Sequence, residues 1–84
     1  MGLPSQPVTL TVEQIGELNS KLASLRHDIN NHLSLIQASL ELIRHKPNLT
    51  ERMLGTLAEQ PAKITGELLK FSAEFDKALG ITRP

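Results

Sequence analysis

The sequence predicts an all-α protein, an antiparallel two-helix hairpin that forms a four-helix bundle as a homodimer. Apolar residues recur at steps of three and four residues in two long segments, and the alternation typical of strands is absent. A Pro-Asn pair at residues 47–48 separates the two segments. The chain has 84 residues, so it forms one domain or part of one.

The first helix is predicted over about residues 12–45, after an extended leader or linker at residues 1–10 that contains two prolines. Thr11 is a typical N-cap, and Gln14 three residues later completes a capping box. At 1.5 Å per residue this helix is about 50 Å long. Its seam consists of Ile15, Leu18, Leu22, Leu25, Ile29, Ile36 and Ile43.

The second helix is predicted over about residues 49–79, and Asn48 with Glu51 resembles a second capping box. Pro61 lies inside this helix, where a proline removes one hydrogen bond and usually causes a kink. Gly80 is a typical C-terminal cap, and residues 81–84 form a tail in which Thr82-Arg83-Pro84 should fray. The predicted seam consists of Leu54, Leu57, Pro61, Ile64, Leu68, Phe71, Phe75 and Ala78.

A lone hairpin of this kind leaves much of both seams in contact with water. A chain this short buries only about 60–65% of the surface that its unfolded form exposes. A second hairpin would cover the seams, so we expect a homodimer. The alternative is that the hairpin packs against another part of a longer chain.

The composition excludes several classes of function. The chain has no cysteine, so disulfides and cysteine metal sites are excluded. Aromatic residues are 2% and the formal net charge is zero, which argues against nucleic-acid binding and against attraction to an anionic membrane surface. No apolar run approaches the ~18 residues of a membrane span, and no signal peptide is visible. These observations favour a cytoplasmic protein without cofactors of its own.

His27 is the clearest candidate for a chemically reactive residue. With Ile15, Leu22 and Ile29 at heptad position a, His27 falls at f, the position furthest from the seam. Its neighbours on that face are short and uncharged: Ser20, Ala23, Ser24, Asn30, Asn31 and Ser34. A histidine in this setting is accessible to the active site of another protein.

A neutral imidazole is a good nucleophile, and an adjacent carboxylate can hold one ring N–H while the other nitrogen attacks. Asp28 offers this pair if its side chain reaches around the helix. By pattern alone, however, an exposed histidine beside an aspartate is ordinary. His32 falls on the seam and is more typical of a packed core or interface residue, whereas His45 lies near the helix end and interacts with the helix dipole.

Residues 26–42, RHDINNHLSLIQASLEL, resemble the histidine box of the dimerisation and histidine-phosphotransfer domain of sensor histidine kinases. The shape is R-H-D-x-x-N-x-L-x-x-I, and it is also similar to that of the sporulation-type phosphotransferases. Residues 64–72, ITGELLKFS, are similar to the second-helix segment of the same family. The resemblance covers about residues 18–79.

The resemblance implies a function and roles for three residues. His27 corresponds to the phosphoacceptor, Asp28 to the acidic neighbour that activates or orients the imidazole, and Asn31 to the residue that positions water for dephosphorylation. It implies three partners: a second copy, a response-regulator receiver domain and a kinase ATP-binding domain. ATP and magnesium are implied on those partner domains only.

The sequence also departs from the family. Many members have a proline where this chain has His32, and many kinases have an arginine where it has Asn30. No ATP-binding domain fits in 84 residues, so the chain alone is not a complete kinase. The competing hypothesis is a helical dimerisation or docking adaptor that keeps the scaffold without the chemistry.

Overall fold

The computed structural model describes residues 2–82 and confirms the all-α prediction. Helix α1 spans Val12–His45 and helix α2 spans Thr50–Leu79. A 3-10 turn, Pro47–Leu49, joins them. The two helices pack side by side as a hairpin, and the long axis of the molecule measures 57 Å. The span of α1 coincides with the one that its heptad pattern predicts.

The start of α1 confirms the predicted capping box. The backbone N–H of Gln14 donates to the hydroxyl of Thr11 at 3.1 Å, and the backbone N–H of Thr11 donates to the side-chain oxygen of Gln14 at 2.8 Å. These two bonds satisfy donors that the first helical turn otherwise leaves free.

The second predicted capping box, Asn48 with Glu51, is wrong. The N-cap of α2 is Leu49, and no side chain caps it. Asn48 lies inside the 3-10 turn that Pro47 begins, so it does not have the extended backbone that an N-cap requires. The hydroxyl of Thr50 donates to the carbonyl of Pro47 at 2.7 Å instead.

The other end of α2 follows the prediction. Gly80 adopts the left-handed conformation with φ of 64° and ends the helix, as glycine commonly does. Beyond it, Ile81 forms an isolated β-bridge with Pro4 of the leader. The last two residues of the predicted fraying tail lie outside the described part of the chain.

The seam of α2 differs from the predicted one. Leu57, Ile64, Phe71 and Ala78 are half-buried, as expected. The rest of the interface with α1 comes from what we call the inward stripe, which consists of Met53, Gln60, Glu67 and Glu74. The residues predicted there form an exposed outward stripe, which consists of Leu54, Pro61, Leu68 and Phe75. Helix α2 is therefore rotated towards its polar residues, and it continues through Pro61 without interruption.

The hairpin has two contrasting long sides. On the groove side, Lys21 and Asp28 of α1 line an open groove of about 270 Å³ together with Glu67, Lys70 and Glu74 of α2. Successive residues of a helix are about 100° apart, so Leu22 and Ile29 of α1 and Leu68 and Phe75 of α2, which follow groove residues, lie outside the groove lining. The opposite side, which we call the apolar side, carries the outward stripe and the a and e positions of α1: Ile15, Leu22, Ile29, Leu33, Ile36, Leu40 and Ile43.

The hairpin buries little of its apolar surface. Leu25, at 8% exposure, is the one buried hydrophobic residue among residues 2–82. The accessible surface is 6541 Å², whereas a compact monomer of 9.3 kDa exposes about 5000 Å². The surplus is largely explained by the two-helix shape, which leaves each helix covered along one side only.

Candidate functional site

His27 lies in the middle of α1, on the face that points away from α2. Its side chain is 75% exposed, and no helix end, glycine or proline lies near it. The exposed short residues Ala23, Ser24, Asn30 and Asn31 surround it, one helical turn away in either direction. The helix therefore presents this imidazole to solvent with short side chains one turn away, and the one long exposed neighbour in sequence is Arg26.

The carboxylate of Asp28 reaches the imidazole. Its Oδ1 lies 3.6 Å from Nδ1 of His27, which is within ion-pair range when the imidazole is protonated but is longer than a hydrogen bond. This contact engages the ring nitrogen nearer the backbone and leaves Nε2, the outer nitrogen, free. Asp28 also lines the groove, so its side chain lies between His27 and the groove side.

Asn31 is exposed and lies one helical turn after His27 on the same face. Its amide is placed beside the imidazole and not between the helices. The three residues that the sequence singled out, His27, Asp28 and Asn31, are therefore neighbours on the described surface of α1.

His45 offers a useful contrast to His27. It is 72% exposed, and its Nε2 lies 3.2 Å from the carboxylate of Glu41. Exposure and a carboxylate neighbour are thus common to both histidines. They differ in the nitrogen engaged, because Glu41 occupies the outer nitrogen of His45, whereas Asp28 leaves the outer nitrogen of His27 open.

His32 is a packing residue, as its seam position predicts. Its Nδ1 lies 2.8 Å from Oε1 of Gln60 across the hairpin, and the amide of Gln60 donates to the carbonyl of Thr56 at 3.2 Å. Because an amide oxygen only accepts, His32 carries its proton on Nδ1. Gln60 is 1% exposed, so this hydrogen bond satisfies a fully buried side chain.

A second polar contact joins the helices in the groove. Nζ of Lys21 donates to a carboxylate oxygen of Glu74 at 2.6 Å and lies 3.3 Å from Glu17. The hydrogen bond from Lys21 lowers the pKa of the Glu74 carboxyl below its usual value, and the same bond raises the pKa of Lys21.

Sequence reasoning did not find Gln60, Lys21 or Glu74. All three were outside the predicted apolar seams because they are polar. The signal that was available is their spacing: Gln60 and Glu74 lie two heptads apart on α2, which places them on one stripe.

Within residues 2–82, no cluster of three or more His, Asp or Glu side chains is arranged to hold a metal ion. Neither of the helices described is both long and apolar enough to cross a bilayer. The chain matches no protein-family model, no curated protein and no solved structure.

Proposed function

We propose that this chain is the dimerisation and phosphoacceptor module of a two-component histidine kinase or phosphorelay. In this proposal His27 accepts a phosphoryl group and passes it to an aspartate of a response regulator. The observation that carries the proposal is the exposed His27 on the outer face of α1, with the Asp28 carboxylate 3.6 Å from Nδ1. The resemblance of residues 26–42 to a histidine box agrees with that geometry.

The chemistry follows from the free outer nitrogen. The lone pair of Nε2 attacks the γ-phosphorus of ATP, an N–P bond forms, and the bond to the β-phosphate oxygen breaks to release ADP. The Nδ1 proton passes to Asp28, which leaves a neutral phosphoimidazole. In the second step an aspartate of the receiver attacks the phosphorus, the N–P bond breaks, and the imidazole recovers a proton. ATP and magnesium belong to the partner domains in this scheme.

Asn31 has the third role. Its amide lies one turn from His27 on the same face, where it can hydrogen-bond a water that approaches the phosphorylated aspartate of a docked receiver. Phosphoryl transfer depends chiefly on positioning and on stabilisation of charge, which exposed side chains on a rigid helix can provide to a partner that supplies the rest of the site.

The dimer is the second part of the proposal, and its occupant is another copy of this chain. The surplus of about 1500 Å² over a compact monomer is of the size that a stable interface needs, since such interfaces bury about 800 Å² per partner and obligate ones more. The apolar side carries large apolar residues along both helices, whereas the groove side is rich in charged residues. Pairing two apolar sides covers this surface and leaves His27 accessible.

The test is phosphorylation of the purified chain by a histidine-kinase ATP-binding domain with ATP, or by a phosphorylated receiver. We expect an acid-labile, alkali-stable phosphate in the wild type and none in His27→Gln. The matched control is His45→Gln, which removes an equally exposed histidine with a carboxylate neighbour on the same helix. This control should retain the phosphate.

Phosphate that persists in His27→Gln, or that disappears in His45→Gln, would overturn the assignment of the phosphoacceptor. If no phosphate forms with any kinase or receiver, and receivers still bind His27→Ala normally, the chain is a dimerisation or docking adaptor instead. The exposed apolar side is the observation that favours this second candidate.

A further inference from the structure

The observed orientation of α2 about its axis leaves apolar residues exposed that a small rotation would bury. The outward stripe contains Leu54, Pro61, Leu68 and Phe75, whereas Met53 is the one apolar residue of the inward stripe. If burial of apolar area alone decided, α2 would turn its outward stripe towards α1. In the structure Leu68 is instead 45% exposed while Gln60 is 1% exposed.

Two polar contacts hold the inward stripe against α1. One joins Gln60 to His32 at 2.8 Å, and the other joins Glu74 to Lys21 at 2.6 Å. Gln60 and Glu74 are fourteen residues apart, which is about 21 Å along the helix. Two attachments on one stripe at this separation determine how α2 is turned about its axis.

Rotation of α2 by one residue, about 100°, would break both contacts. His32 would then lose its acceptor while half-buried, which costs part of the free energy needed to remove its ring N–H from water. The ion pair between Lys21 and Glu74 would separate at the same time. The gain from burying leucine and phenylalanine is therefore opposed by the loss of polar partners and by the exposure of the half-buried Leu57, Ile64 and Phe71.

We propose that the His32–Gln60 and Lys21–Glu74 contacts fix the rotation of α2 and thereby reserve the outward stripe for a second copy of the chain. His32, Gln60, Lys21 and Glu74 are specificity residues in this role: they prevent the hairpin from burying its own dimer surface. Single polar pairs in otherwise apolar helical interfaces are known to select one arrangement at some cost in stability. The inference rests on the proposed homodimer.

The experiment uses the absence of cysteine in the natural chain. A single thiol is introduced as Leu68→Cys or as Glu67→Cys, and its rate of maleimide labelling is measured at a dilution where sedimentation velocity detects single chains. In the wild-type background we expect the thiol at position 68 to react faster than the one at position 67.

The same two thiols are then placed in a chain with His32→Leu and Lys21→Leu. These changes remove both partners on α1 and offer apolar side chains to the outward stripe. We expect the order of labelling to reverse, and the dimer dissociation constant to rise because the outward stripe now faces α1. The matched control is Lys63→Leu, which removes a lysine paired within α2 to Glu59; it should change neither result.

An unchanged labelling order, with an unchanged dissociation constant, would overturn the inference. Circular dichroism checks that each variant keeps its helices. If the double variant does not fold, the labelling is repeated with His32→Leu alone. A wild type that sediments as a single chain at every concentration contradicts the homodimer, whereas the labelling order still decides whether the polar contacts fix the rotation.

Discussion

The two long sides of this hairpin differ in composition and in the contacts that they make between the helices. The apolar side has the larger area of leucine and isoleucine, yet it makes few specific contacts within the chain. The groove side has charged residues, and its Lys21 and Glu74 form a polar contact between the helices. The difference teaches that a few well-placed hydrogen bonds decide the arrangement here, while apolar area remains available for association.

The largest expected effect is on the apolar side. Leu68→Glu should raise the dissociation constant of the proposed homodimer by about 100-fold or more, because each of its two symmetric copies loses ~1.5–3 kcal/mol of leucine burial. Analytical ultracentrifugation over a range of concentrations measures this change.

The neighbouring Leu69 supplies the control for that experiment. It is 65% exposed and lies one position further around α2, away from the apolar side. Leu69→Glu should leave the dissociation constant within about threefold of the wild type, a difference of roughly 0.65 kcal/mol. Equal effects at positions 68 and 69 would contradict the contrast between the two sides.

A smaller effect is expected between the helices, at Gln60. Gln60→Ala removes the acceptor of His32 and should lower the free energy of unfolding by about 1–3 kcal/mol. Urea denaturation at fixed protein concentration measures it. Gln37→Ala, which truncates an exposed glutamine of α1, should change stability by less than about 0.5 kcal/mol. A Gln60→Ala midpoint equal to that of the wild type would show that the buried contact is not stabilising.

The smallest effect belongs to the groove and depends on pH. Glu74 has a lowered pKa in the folded chain because of its hydrogen bond from Lys21. Its contribution to stability is therefore complete above the ordinary value of 4.5. As the pH falls below that value the unfolded state binds the proton first, and the contribution is lost as the pH passes the folded pKa.

Thermal unfolding between pH 3 and 7, a span of roughly four units that includes the carboxyl range, tests this prediction. The wild type should exceed Glu74→Gln in melting temperature near neutral pH, and the difference should shrink in acid. Glu59→Gln, whose partner Lys63 lies on the same helix, serves as the control. A difference that grows as the pH falls would have the wrong sign and would exclude the proposed linkage.

The architecture and the exposure of His27 could be predicted from the sequence because they depend on repeats. The heptads of α1 allow one apolar seam, and position f lies opposite to it, so the outward direction of His27 follows from geometry alone. The capping box at Thr11 was visible because both of its members lie within four residues.

The rotation of α2 could not be predicted in the same way. Its apolar residues form two adjacent stripes, Leu57 to Ala78 and Leu54 to Phe75, and pattern reasoning placed both in the seam. The choice between inward and outward stripes depends on contacts between Gln60 and His32, which are 28 residues apart in the chain. A long-range hydrogen bond of this kind leaves no periodic signal. The predicted capping box of Asn48 with Glu51 failed for a related reason, because Pro47 begins a 3-10 turn that contains Asn48.

The bridge between Pro4 and Ile81 has a consequence for chain connectivity. It brings two backbones that are distant in sequence to the spacing of paired strands, about 5 Å, at the pole opposite Pro47–Leu49. A circular permutant that joins these neighbouring segments and opens at the 3-10 turn would therefore trace both helices in reverse order without crossing the molecule. We expect such a permutant to keep the shape of the hairpin.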